Sequence, residues 1–173
     1  MEVTRNAFFL SIGSNLGDRL SHLQNGLNAL QNHGCEIFSC SSVYETAAVG
    51  MNDAPAFLNA CVKGTTDLNP FQLMDLLLLI EQQNGRDRSQ AGVCSRTLDM
   101  DVLFYENLIL VTDKLTLPHP RFRERKFVLL PLVEIAPEFI DPVNLKPIQL
   151  YLVETDDCSV VKKLDPDRII LRF

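Results

Sequence analysis

Arg96-Thr-Leu-Asp-Met-Asp-Val102 decides the reading of this chain. Side chains alternate between the two faces of a strand, so Asp99 and Asp101 share one face while Leu98, Met100 and Val102 point to a core. Two neighbouring carboxylates repel unless something positive lies between them. Mg²⁺ is the natural candidate, because it takes one or two carboxylates and completes its shell with water and substrate phosphates. Arg96 offers those phosphates a planar fork of donors. Taken alone, a D-x-D is most often the solvated acidic face of a strand, so the decision rests on what surrounds it.

The flanking residues are informative. Residues 85–96 carry Gly85, Gly92 and three arginines without hydrophobic period, and read as a mobile loop. Downstream come Leu117-Pro-His-Pro120 and the basic run Arg121, Arg123, Arg125, Lys126. Eight of the sixteen Lys and Arg fall between Arg86 and Lys126, together with six acids. Either a small polyanion binds there with its metal, or the stretch is a mixed-charge surface. The net charge of −6 argues against a general nucleic-acid binder.

Farther out, Ala7–Gly13 reads as a buried strand, and Asp18 caps a helix with Leu20, Leu23, Leu27 and Leu30 in register, ended by His33-Gly34. Strands follow at 36–46 and 57–66. Asn69-Pro70 opens a helix that runs to Asn84-Gly85. It is apolar nearly all round from Met74 to Ile80, which predicts burial on all sides, and Glu81 is the first acid after that stretch. Strands are expected at 97–105 and 108–111, a helix interrupted by Pro131 over 121–135, and a last strand at 168–173. The order β-α-β-β-α-β predicts an α+β fold, a ferredoxin-like split βαβ sandwich with a mainly antiparallel sheet packed by helices.

The 173 residues fit one domain. The five cysteines form no C-x-x-C pair and read as free thiols. No apolar run reaches transmembrane length, and the N-terminus lacks a signal-like apolar region, so a cytoplasmic protein is expected.

One ordered set of motifs resembles the 6-hydroxymethyl-7,8-dihydropterin pyrophosphokinases of folate biosynthesis. It comprises Ser11-Ile-Gly-Ser-Asn-Leu-Gly17, Tyr44-Glu-Thr46, Phe57-Leu-Asn-Ala60, Ile80-Glu81 with Gly85-Arg86, Arg96 to Asp101, Leu117-Pro-His119, Arg125-Lys-Phe127, Pro131-Leu132 and Glu134 to Pro137. The resemblance covers about residues 7–152 and leaves 153–173 as a C-terminal extension. It implies transfer of pyrophosphate from ATP to the pterin hydroxymethyl group, with two Mg²⁺ on Asp99 and Asp101 and with Asp101 helping to take the hydroxyl proton. By the same resemblance, Arg86, Arg96, His119 and Arg125 contact phosphates and, with the two aspartates, form the catalytic set. Glu81, Arg88, Val102, Lys114 and Thr116 surround the nucleotide. Phe57 and Phe127 stack on the pterin, and Asn59, Thr46 and Val49 read its polar edge. The partners implied are these small molecules alone, acting on a monomer without nucleic acid or membrane. Where the family carries a tryptophan in the loop before the paired acids, this chain has none, and Cys94-Ser95 stand in place of Gly-Pro. Two other functions remain open on the residues: a non-catalytic Mg²⁺–nucleotide module on the same fold, and an interaction domain with an acidic strand.

Overall fold

The computed structural model describes residues 5–48, 53–86, 94–165 and 171–173. Asn6–Ser14 forms strand β1, buried from Phe8 onward, as befits the middle of a sheet covered on both sides. Asp18 accepts the Ser21 N–H and opens α1 (Arg19–Asn32), which buries Leu23, Leu27 and Leu30. Gly34, at φ +83°, supplies the left-handed residue that ends it.

The expected single strand at 36–46 is two, β2 (Glu36–Cys40) and β3 (Tyr44–Thr46), both antiparallel to β4 (Phe57–Thr66). The interruption falls where serine side chains take over from the ladder. Ser41 Oγ accepts the Cys61 N–H, and Ser42 turns its N–H and hydroxyl to Glu134.

Helix α2 (Pro70–Gln83) starts with a reciprocal cap, Asn69 accepting from Phe71 and Gln72 N–H while Gln72 accepts from the Asn69 N–H. Its predicted all-round burial does not hold. Leu73, Leu76, Leu77, Ile80 and Glu81 are buried, but Leu78 and Leu79 are 38% and 43% exposed, because only one stripe of the helix packs on the sheet and α1.

Strand β5 (Asp99–Tyr105) is antiparallel to β1, with Asp99 opposite Gly13 and Asp101 opposite Ser11. A hairpin of β6 (Leu110–Val111) and β7 (Thr116–Leu117) follows. The expected helix over 121–135 is a 3₁₀ turn, Phe122–Glu124, and then α3 (Lys126–Ile135). The break lies at Arg125, whose backbone is extended, and not at Pro131, which α3 accommodates in its interior. The small hairpin β8 (Ile140–Asp141) and β9 (Lys146–Pro147), α4 (Ile148–Glu154) and β10 (Val161–Lys163) complete the chain. The strand expected at 168–173 is not formed at 171–173, and 166–170 lie outside the described residues.

The main sheet runs β10-β3-β4-β1-β5, with β2 also on β4. Every adjacent pair is antiparallel, and the order of β5, β1, β4 and the β2–β3 pair is that of a split βαβ sandwich. One face packs Phe8, Leu10 and Ile12 against α1 and α2. The other packs Phe9, Cys61 and Phe104 against Phe122 and the apolar sides of α3 and α4. All five cysteines are free thiols. Among the described residues, no helix is long and apolar enough to cross a membrane.

Candidate active site

The sheet's open edge and the ends of its helices enclose a cleft of about 920 Å³. Asp99 and Asp101 project into it from β5, Thr46 from β3, Phe57 and Asn59 from β4, and Glu81 from the last turn of α2. Lys114 and Thr116 enter from the β6–β7 hairpin, and His119, Arg125 and Phe127 from the chain that follows. Arg86, Arg96 and Val102 complete the predicted set, so the structure brings together every described residue of it. Val49 and Arg88 lie outside the described residues, as do 87–93 of the expected loop.

The charged floor is unevenly paired. Arg86 Nη1 sits 2.6 Å from Asp99 Oδ1 and 2.5 Å from Glu81 Oε1, and Arg96 Nη1 lies 3.0 Å from Asp99 Oδ2. Glu81 is 1% exposed and also accepts the Met100 N–H at 2.7 Å. It therefore braces Arg86 and β5 as well as lining the cleft. Asp101 has a different environment. Among the described residues, the basic group within 4 Å of it is His119 Nε2, at 3.9 Å. Burial, and then the charge of Asp99, push its pKa up to about 6.

His119 is held by its own N–H on Leu103 O, which fastens the Leu117–Pro120 segment to the free edge of β5. Its Nδ1 accepts the Arg121 N–H at 3.2 Å. Burial, with Arg125 and Arg121 nearby, lowers its pKa to about 4. The ring is therefore neutral near pH 7, with its proton on Nε2, and it acts as a hydrogen-bond donor rather than a cation.

The opposite end combines aromatic rings with a buried polar pair. Phe57 and Phe127 are half-buried at the cleft wall, unlike the core phenylalanines Phe8, Phe104 and Phe122. Arg96 stands over the Phe57 ring and Arg125 over the Phe127 ring, at 5.9 and 5.7 Å from the centroids. Asn59 and Thr46 are both 4% exposed, and Asn59 Nδ2 donates to Thr46 Oγ1 at 3.0 Å.

Three contributors were not singled out from the sequence. A Cβ at Gly13 would stand 3.0 Å from Asn59 Oδ1, so the glycine makes room for that amide. Asn15, 1% exposed, donates to Pro55 O and Ser95 Oγ and accepts the Arg96 N–H, fixing both loops that flank the cleft. Both belong to the Ser11–Gly17 motif, which was the available signal. Asp157 also lines the cleft, from the segment past the motifs, and no local pattern marked it.

A carboxylate pair, three guanidinium groups and a flat, aromatic-walled recess on an antiparallel α+β sheet define a nucleotide-dependent phosphoryl-transfer class of site. The sequence matches the family described as 7,8-dihydro-6-hydroxymethylpterin-pyrophosphokinase (HPPK) over residues 9–137. The chain belongs to that family. It is 40% identical over 158 residues to a 2-amino-4-hydroxy-6-hydroxymethyldihydropteridine pyrophosphokinase of Synechocystis, covering 91% of this chain and 80% of the relative. The protein of the same name in Bacillus subtilis is 41% identical over 76% of this chain and 78% of its own length. A folate synthesis bifunctional protein of Arabidopsis thaliana is 39% identical over 73% of this chain, which spans only 26% of that relative. The fold is similar to part of the Plasmodium falciparum HPPK-DHPS crystal structure, with a TM-score of 0.69 at 15% identity, over 87% of this chain and 41% of that one.

Proposed function

We propose that this chain transfers the terminal pyrophosphoryl group of ATP to the hydroxymethyl oxygen of 6-hydroxymethyl-7,8-dihydropterin, releasing AMP, as a step of folate biosynthesis. The observation that carries this reading is the convergence, in one cleft, of the Asp99–Asp101 pair with the buried Asn59–Thr46 edge between half-buried aromatic walls.

Asp99 and Asp101 fit Mg²⁺. They supply hard oxygen donors from one strand face, and among the described residues no group of three or more His, Cys, Asp or Glu is placed to hold a metal. A two-carboxylate set suits an ion that keeps water and takes phosphate oxygens. Bound there, Mg²⁺ supplies neutralisation of the polyphosphate charge. Arg86 and Arg96, now on Asp99, are within reach of incoming phosphates, and Arg125 adds a third guanidinium. Neutral His119 donates Nε2–H to a phosphate oxygen. Asp101, which lines the cleft on the face it shares with Asp99, is the chain's acceptor for the hydroxymethyl proton. Leu78, Lys114 and Thr116 bound the nucleoside side. Phe57 and Phe127 sandwich the pterin, and Asn59 with Thr46 pairs its polar edge.

The test is incubation of the purified chain with ATP and Mg²⁺, with and without the pterin, followed by identification of the nucleotide product. AMP formed only when the pterin is present supports the reading. ADP, or no turnover, contradicts it.

A further inference from the structure

Residues 138–173 lie beyond the family match, yet one short run among them bonds both to α3, which carries Phe127, and to β3, which carries Thr46. Asp157 Oδ2 accepts the Lys126 N–H at 2.7 Å, and its Oδ1 accepts the Ser159 N–H at 2.8 Å. Lys126 is the first residue of α3. Arg125, which precedes it, provides no side-chain cap. The first amides of a helix lack intrahelical acceptors and favour a carboxylate. Asp157 therefore caps α3 from thirty-one residues downstream, at the residue before Phe127, whose ring lies under Arg125. Four residues on, Val161 pairs with Thr46 and Lys163 with Tyr44, so β10 closes the open edge of β3. Thr46 is the acceptor for the Asn59 amide. Lys163 Nζ reaches Glu134 Oε1, 3.2 Å away, on the same α3 that Asp157 caps.

Resting on the pterin reading above, we propose that Asp157 is a positioning residue for the pterin site, fixing the start of α3 so that Phe127 keeps its place in the cleft wall. The nucleotide side is built on α2, β5 and the β6–β7 hairpin. Its other phosphate contacts, Arg86, Arg96 and His119, do not depend on that cap.

The experiment uses the full chain. Affinity for 6-hydroxymethyl-7,8-dihydropterin is measured with a non-hydrolysable ATP analogue and Mg²⁺ present, and analogue affinity is measured separately. The proteins are wild type, Asp157→Ala, Asp157→Asn and Asp156→Ala, each with its melting temperature. Asp157→Ala should weaken the pterin about tenfold, the scale of one charge-assisted hydrogen bond, and the analogue less than about twofold. Asp157→Asn keeps the shape but accepts through one oxygen only, so it should fall between. Asp156→Ala removes the same charge one residue away, from an exposed side chain, and should match wild type. Wild-type pterin affinity in Asp157→Ala overturns the proposal, and so does an equal loss for both ligands. A wild-type chain that does not bind the pterin overturns the functional reading instead.

Discussion

Arg86 Nη1 lies 2.6 Å from Asp99 Oδ1, so the first arginine after α2 is tied across the cleft floor to one carboxylate of the pair. Asp101, two residues on, shares the face but has no guanidinium at ion-pair distance among the described residues. Both acids thus serve the proposed chemistry, but they serve the fold unequally.

Replacing either acid by alanine should cut pyrophosphoryl transfer by about a thousandfold, since charge neutralisation at the phosphates is lost. Their effects on stability should diverge. Asp101→Ala removes a carboxylate that burial and Asp99 disfavour, so its melting temperature should hold or rise. Asp99→Ala leaves Arg96 without its partner and Arg86 with Glu81 alone, and should melt lower. Steady-state kinetics and calorimetric melting of the two variants separate these roles.

Phe127→Ala and Asn59→Ala should each weaken the pterin far more than an ATP analogue. The first removes one stacking wall. The second leaves the ligand's polar edge unpaired, which costs about 1–3 kcal/mol. Titration calorimetry with both ligands is the check. Equal losses would mean that these residues serve packing alone.

Gly13→Ala places a methyl 3.0 Å from Asn59 Oδ1, against an amide already committed to Thr46. The amide must shift by a few tenths of an ångström, and pterin affinity should fall with it while nucleotide affinity holds. The same titration measures this. Unchanged pterin affinity would show that the Asn59 amide does not set recognition.

Glu134 ties β10 and the Ser41–Val43 link to α3. Burial raises its pKa, but hydrogen bonds from Tyr44, Ser42 and Lys163 outweigh this and hold the carboxyl below its ordinary 4.5. Its folded pKa is depressed, so its stabilising contribution is present above the unfolded value and drains away as pH falls through the folded one. Glu134→Gln should cost about 1–2 kcal/mol at neutral pH. The gap from wild type should narrow as pH drops below about 4.5. Melting curves across that range test the sign.

The elements whose signals are local were legible in the chain. Asp18, Asn69-Pro70 and Gly34 carry their own capping chemistry, and the alternation of β5 placed both aspartates on one face. What escaped was set by partners distant in sequence. The strand break at Ser41–Val43 depends on Cys61 and Glu134. The outward face of α2 depends on how little of the helix the sheet can cover, so Leu78 and Leu79 read as core when they are not. Pro131 looked like the helix breaker, yet the break is at Arg125, where Asp157 supplies the first acceptor for α3. The residues that line the cleft were legible as an ordered set of motifs, whereas their pairing, with two arginines on Asp99 and none on Asp101 among the described residues, needed the geometry.

The central claim is that two phosphoryl groups move as one unit, and the most direct measurement follows a label. ATP carrying a radioactive phosphorus in the β-phosphoryl group is incubated with the chain, Mg²⁺ and 6-hydroxymethyl-7,8-dihydropterin, and the products are separated. The account predicts the label on the pterin diphosphate and unlabelled AMP in equal amount. Label retained in ADP, with a pterin monophosphate as the other product, would contradict it.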